Sequence, residues 1–136
     1  MNDLRKKARD TKRIADLKQI QVAIELYNDD NGYYPREANG ANGKVGEGGG
    51  LDTMLSTYIA RNPSDPLGPN DSTHYYYYDG YHDCTNKISA SYVSVLFART
   101  MEIASNANWS DICNGNGIEG TPGINTYMIV IGYSNG

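Results

Sequence analysis

Large apolar aromatics are nearly missing from this chain of 136 residues, which has one Phe and one Trp. Cysteine is as scarce: Cys84 and Cys113 form no CxxC motif and have no nearby His and Cys pair to complete a zinc site. Two thiols leave two readings, a structural disulfide in an oxidising compartment or a pair of free cysteines. No stretch approaches the ~20 apolar residues that span a bilayer, and no signal peptide opens the chain. That is expected of a cytoplasmic protein or of one whose N-terminal segment has been removed. Basic residues are sparse beyond Lys18, and an acidic body excludes a general nucleic-acid binder, which needs a positive face to displace counterions. Only the first helical turns are left for such a role. The length suits one domain.

What is abundant is Gly and Tyr, 15 and 12 residues. Tyrosine joins aromatic bulk to a polar tip and suits half-buried surfaces that meet water or a neighbour, as in an extracytoplasmic or assembling protein. From Asp3 to Asn28 there is neither Gly nor Pro, and Leu17, Ile20, Ile24 and Tyr27 recur at steps of three and four, which predicts a helix. Ala23 lies beside them, while Ala15, Val22 and Leu26 form a second flank. The helix is thus apolar over more than half its circumference, more than one covering layer needs. Leu17, Ile20, Val22, Ile24 and Leu26 are the candidate residues of a filament-packing helix. In the first four turns Leu4, Ala8 and Ile14 are sparse among Arg5, Lys6, Lys7, Arg9, Lys12 and Arg13, so that end is expected to project.

Asn28 to Gly32 stops the helix and Pro35 prevents its resumption. Residues 36–50 read as a Gly-rich loop with little to bury, unlike a phosphate-binding loop because no GK[ST] closes it. Leu51, Met54, Leu55, Tyr58 and Ile59 predict a short helix over 51–61, ended by Asn62-Pro63. Thr73–Tyr78, Ser91–Glu102 and Thr126–Tyr133 read as strands of an antiparallel meander. In the last of them Tyr127, Ile129, Ile131 and Tyr133 should face the long helix, with Met128 and Val130 opposite. The expected class is α+β, one domain over 1–136: a helix over 1–30, an αβ-loop over 31–72, and a three- to four-stranded antiparallel sheet over 73–136.

Chemistry is thinly signalled. Asp29 and Asp30 sit at a helix C-terminus, where the dipole disfavours carboxylates, and His74 and His82 accompany no GxSxG nucleophile; no catalytic residue is assigned. Asp111, Asn114, Asn116 and Glu119 gather hard oxygen donors between glycines, a candidate calcium loop with Asp79 and Asp83 as further ligands. A turn-rich loop has the same composition. Tyr76, Tyr78, Tyr81 and Trp109 are candidates for a ligand surface, although adjacent strand residues alternate faces.

Ala8-Arg9-Asp10, Arg13, Ile14, Asp16, Leu17, Ile20, Ala23, Leu26 and Tyr27, followed by Asp30-Asn31-Gly32-Tyr33-Tyr34-Pro35, resemble the type IV pilin superfamily, especially the branch with the major pseudopilin of type II secretion. A second matching box is Tyr58-Ile59-Ala60 with Pro63-Ser64-Asp65-Pro66-Leu67-Gly68. The resemblance implies a membrane-inserted precursor cut by a prepilin peptidase, methylated, and polymerised through its helix by inner-membrane machinery into a surface or periplasmic filament. It further implies a calcium-binding C-terminal loop in the pseudopilin branch and, in many pilins, a C-terminal disulfide. The cleavage motif and apolar half-helix are not seen, so the chain is expected to be a soluble truncation. The expected function is a structural subunit of a type IV pilus; the alternatives are the major pseudopilin, or a minor pilin or adhesin that binds a surface ligand or DNA.

Overall fold

The computed structural model describes residues 2–84, 92–113 and 117–134. Helix α1 runs Asn2–Asn31, and its end is capped as the residue types dictate. Gly32 takes φ of +81°, which a side chain would strain, and returns its N–H to the Asn28 carbonyl at 2.8 Å. The Asn31 amide satisfies the Tyr27 carbonyl at 2.9 Å. Beyond it come β1 (Gly43–Val45), α2 (Gly50–Met54), β2 (Tyr76–Asp83), β3 (Tyr92–Ala98) and β4 (Tyr127–Ser134). The four strands form one antiparallel sheet in the order β1-β2-β3-β4.

Two layers cover this sheet. On one face lie Tyr76 and Tyr78 of β2, Leu96 and Ala98 of β3, and Tyr127, Ile129 and Ile131 of β4, packed on Leu17, Ile20, Ala23 and Ile24 of α1. Each fully buried Leu or Ile here is worth about 1.5–3 kcal/mol, so the inner face of α1 is the principal apolar tie of the helix. On the other face Val93, Val95, Phe97 and Met128 meet Cys113 and Ile118 from the long β3–β4 connection, which folds back as a flap. The expected alternation in β4 holds for 127–131, but a register shift at Ser94/Val95 pairs Tyr133 with Val93, which turns it from α1 to the other face, where it is exposed.

Three expectations are corrected. The segment 36–50 carries more structure than its glycines suggest: Ala41 and Val45 are buried, and Gly43, Lys44 and Val45 pair with Tyr78, Tyr77 and Tyr76 as an edge strand. The strand is short and Lys44 points outward, the usual protection of an edge. The second helix is shorter than 51–61, because Leu55 leaves helical geometry (φ −90°, ψ 0°) and turns carry Tyr58 and Ile59 to the core.

The third correction concerns the basic end of α1, which projects only over its first two turns. Arg13 is fully buried, and its guanidinium donates to both oxygens of Asp65 (2.8 and 3.0 Å), to Asp10 (2.8 Å) and to Glu102 (2.7 Å). Asp10 in turn accepts the backbone N–H groups of Glu102 and Ile103 and the Asn106 amide, each at 2.9 Å. Arg9 forks onto Glu102 at 2.6 and 2.7 Å. A turn further on, Asp16 accepts from the Tyr76 hydroxyl (2.7 Å) and Lys12 (2.8 Å). Burial alone would lower the pKa of Arg13, but the bonds to Asp65 and Glu102 outweigh it and raise it. The Arg9 bond, ahead of Arg13, holds Glu102 at about 2 against its ordinary 4.5.

Two outcomes follow from this cluster. Arg13→Ala strands buried carboxylates and should cost about 3–5 kcal/mol in urea unfolding, no less than the 2–5 kcal/mol expected for the core change Ile20→Ala. Glu102 has a depressed pKa, so its stabilisation is fully present above 4.5 and is lost as pH falls through about 2. Melting temperature against pH should therefore decline over that window in the parent chain and decline less in Glu102→Gln.

Candidate filament-packing face and its flanking loops

With Leu17, Ile20 and Ile24 committed to the chain's own sheet, these three are not available to neighbours, which corrects their assignment as filament contacts. The other flank stays open. At 3.6 residues per turn, Leu4, Ala8, Ala15, Val22 and Leu26 fall within an arc of about 40° on the side turned away from the sheet. All five are exposed, Leu4 at 67 %, Val22 at 60 % and Leu26 at 42 %. Exposed apolar residues aligned along about 33 Å of one helix, at 1.5 Å per residue, suit a partner that lies alongside. No described helix is long and apolar enough to cross a membrane.

The flap is held by three independent devices. Cys84, just beyond β2, is bonded to Cys113, with Cα atoms 5.4 Å apart, so the disulfide reading is the correct one of the two. Asp79 accepts the Glu119 N–H at 2.9 Å, while the Asn42 amide bonds Asp79 and Glu119 together at 3.0 and 2.8 Å. Gly120 has φ of +86°, and a Cβ there would lie 2.5 Å from the Tyr77 ring, so only glycine lets the flap settle on the sheet. Asp79 is buried beside His82 Nδ1 at 2.9 Å, and its desolvation raises its pKa to about 6.

The predicted ligand residues separate. Tyr76 and Tyr78 are fully buried, with hydroxyls on Asp16 and the Pro35 carbonyl (2.7 Å each), so they are core and cannot receive a surface ligand. Their burial follows from the alternation of β2, which turns them both towards α1. Trp109 packs in the flap, and Tyr81 is half-buried at a bulge of β2. Of the calcium candidates, Asn114 and Asn116 lie outside the described residues. Asp111 and Glu119 are exposed, and the oxygens of Asp79 already face N–H donors. Among the described residues the only three side chains that bring metal-ligand atoms together are His82, Cys84 and Cys113, and both sulfurs there are spent in the disulfide. Asp30 accepts from the Tyr58 hydroxyl at 2.5 Å, and His74 is bonded to Asp71 and Thr73, so neither belongs to a nucleophile arrangement.

The Arg13 cluster was missed as a site because its residues look like a solvated helix end. The signal was present: Asp10, Arg13 and Asp16 continue the stripe of Leu17 and Ile20, so charges occupy core positions.

A long helix docked on an antiparallel sheet, with an outward apolar stripe and a C-terminal half closed over the sheet, defines a pilin-like filament subunit. The family model for type II secretion system protein G matches residues 1–90, about two-thirds of the chain. The chain belongs to that family, the major pseudopilins, whose members are structural subunits. Searches of curated proteins and of solved structures found no significant match. The matched span holds α1, β1, α2 and β2; β3, the flap and β4 lie outside it.

The disulfide closes a separation of 29 residues, so loop-closure entropy predicts that Cys84→Ser/Cys113→Ser lowers stability by about 3.6 kcal/mol. Equilibrium urea unfolding should show this as a lower midpoint.

Proposed function

We propose that this chain is the filament-building subunit of a type II secretion pseudopilus, polymerising through α1 in an extracytoplasmic fibre together with the secretion machinery. The observation that carries this is the division of α1 into an inner face filled by the sheet and an outer apolar stripe that stays exposed among the described residues. The membership in the protein G family supports the secretion branch over the surface pilus. The disulfide and the tyrosine-rich half, which lean towards a displayed fibre, are equally useful to any filament that must stay folded outside the cytoplasm.

Its mechanism is packing. Neighbouring copies would cover Ala15, Val22 and Leu26, gaining roughly 25 cal/mol per Å² of apolar surface removed from water. The flap contributes no chemistry in this reading and presents the outer wall of the fibre.

Val22→Asp and Leu26→Asp test it. Both sites are exposed in the subunit, so domain stability should change by no more than about 0.5 kcal/mol. Filament yield from a full-length membrane-anchored subunit, read by shearing and electron microscopy, should collapse. Normal filaments from both variants would remove the stripe from the assembly contact.

A further inference from the structure

One guanidinium stands between two tyrosine rings and is in no ion pair among the described residues. Arg36 follows the Tyr33-Tyr34-Pro35 stop, and its guanidinium carbon lies 4.4 Å from the Tyr33 ring centre and 4.6 Å from that of Tyr81. Among the described residues its side chain makes no hydrogen bond or ion pair, and its Nε is buried without an acceptor. Arg13, by contrast, is answered by three carboxylates and Arg9 by one. A guanidinium carries five N–H donors, so this state leaves interaction energy unused.

The backbone is shaped to create it. Tyr81 is a non-glycine residue at φ of +54°, a left-handed conformation that a side chain strains and that its surroundings must hold. It occurs at the bulge where the β2–β3 register shifts between Asp79 and His82, and the Tyr81 N–H is held by the Ser94 hydroxyl at 2.9 Å. Bulges re-aim side chains, and this one turns Tyr81 onto Arg36. The Tyr34 N–H donates to the Tyr81 hydroxyl at 3.2 Å and fixes the ring from its far end. Gly32, Tyr33, Arg36, Tyr81 and Tyr92 then line an open cleft of about 520 Å³ at the end of α1.

We propose that this cleft binds a carboxylate, with Arg36 as its anchor. The two rings clamp the guanidinium, so a ligand meets its N–H edge. That edge presents paired donors in one plane, the geometry a carboxylate answers with two oxygens. The tyrosines restrict water around the pair and so strengthen it. The carboxylate comes either from a free small acid or from an acidic side chain on a second copy of this chain.

Two arms separate these sources. In the first, the isolated domain is titrated with sodium succinate against sodium chloride at matched ionic strength and pH, following the amide resonances of Arg36 and Tyr81. A free acid gives saturable shifts, abolished in Arg36→Gln and weakened about tenfold in Arg36→Lys, which keeps the charge but loses the fork. In the second, full-length Arg36→Gln and Arg36→Lys subunits are assembled. A carboxylate from a second copy gives a severalfold lower filament yield for both, with unchanged melting temperature of the domain. Arg36→Lys guards against the chance that the glutamine variant fails to fold. No saturable shift in the first arm together with normal yield from the lysine variant in the second overturns the proposal.

Discussion

The architecture rests on a buried guanidinium. Arg13 is sealed from solvent and bonded to Asp65 from the connection after α2, Asp10 from its own helix, and Glu102 from the end of the β3 arm. Three distant stretches of chain thereby meet at one planar group whose donors point in fixed directions. Apolar packing of Leu17, Ile20 and Ile24 presses α1 on the sheet but sets its rotation and height loosely, because greasy contacts are non-directional. The fork on Asp65 and the Asp10 bonds to Glu102 and Ile103 fix both. Burying such a cluster is costly, and its return is a single helix orientation.

That orientation matters because α1 serves two layers. Rotating it would bury Val22 and Leu26 against the sheet or bring Arg13 into water; held as it is, the helix keeps its outer stripe in register along its length. The opposite side of the sheet is closed by the flap, tied through Cys84–Cys113 and through Asp79 to Glu119. A subunit sealed on both sides of its sheet has one extended apolar strip left on α1, and a fibre built by side-by-side helices uses it. The region after residue 90, outside the family match, carries β3, β4, the disulfide's second cysteine and the flap, and of these the flap lies on the side of the sheet away from α1.

How much of this was legible depends on which force wrote each feature. The helix, its stop at Asn31-Gly32, β3, β4 and the resemblance came from periodicity and turn chemistry, which act over a few residues, whereas β2, read as Thr73–Tyr78, starts at Tyr76 and continues through the polar segment to Asp83. The apolar width of α1 correctly announced two partners, yet the assignment of Leu17, Ile20 and Ile24 to neighbours failed because a single sequence does not say which flank the sheet will take. β1 was hidden because Gly43, Lys44 and Val45 become a strand only through their tyrosine partners. Tyr76 and Tyr78, candidates for a ligand surface, are core instead, and Asp16 and the Pro35 carbonyl satisfy their hydroxyls there. The Arg13 cluster depended on a residue 52 positions away, a contact that no local pattern records.

The most direct test of the account is solvent accessibility along α1 before and after assembly. Single cysteines placed at Val22 and Ile20, with the Cys84–Cys113 bond intact, would be labelled by a thiol reagent in the unassembled subunit and in the filament. The account predicts rapid labelling at position 22 in the free subunit, strong protection there in the filament, and protection at position 20 in both. Equal labelling at position 22 in both states, or rapid labelling at position 20 in the folded subunit, would contradict it.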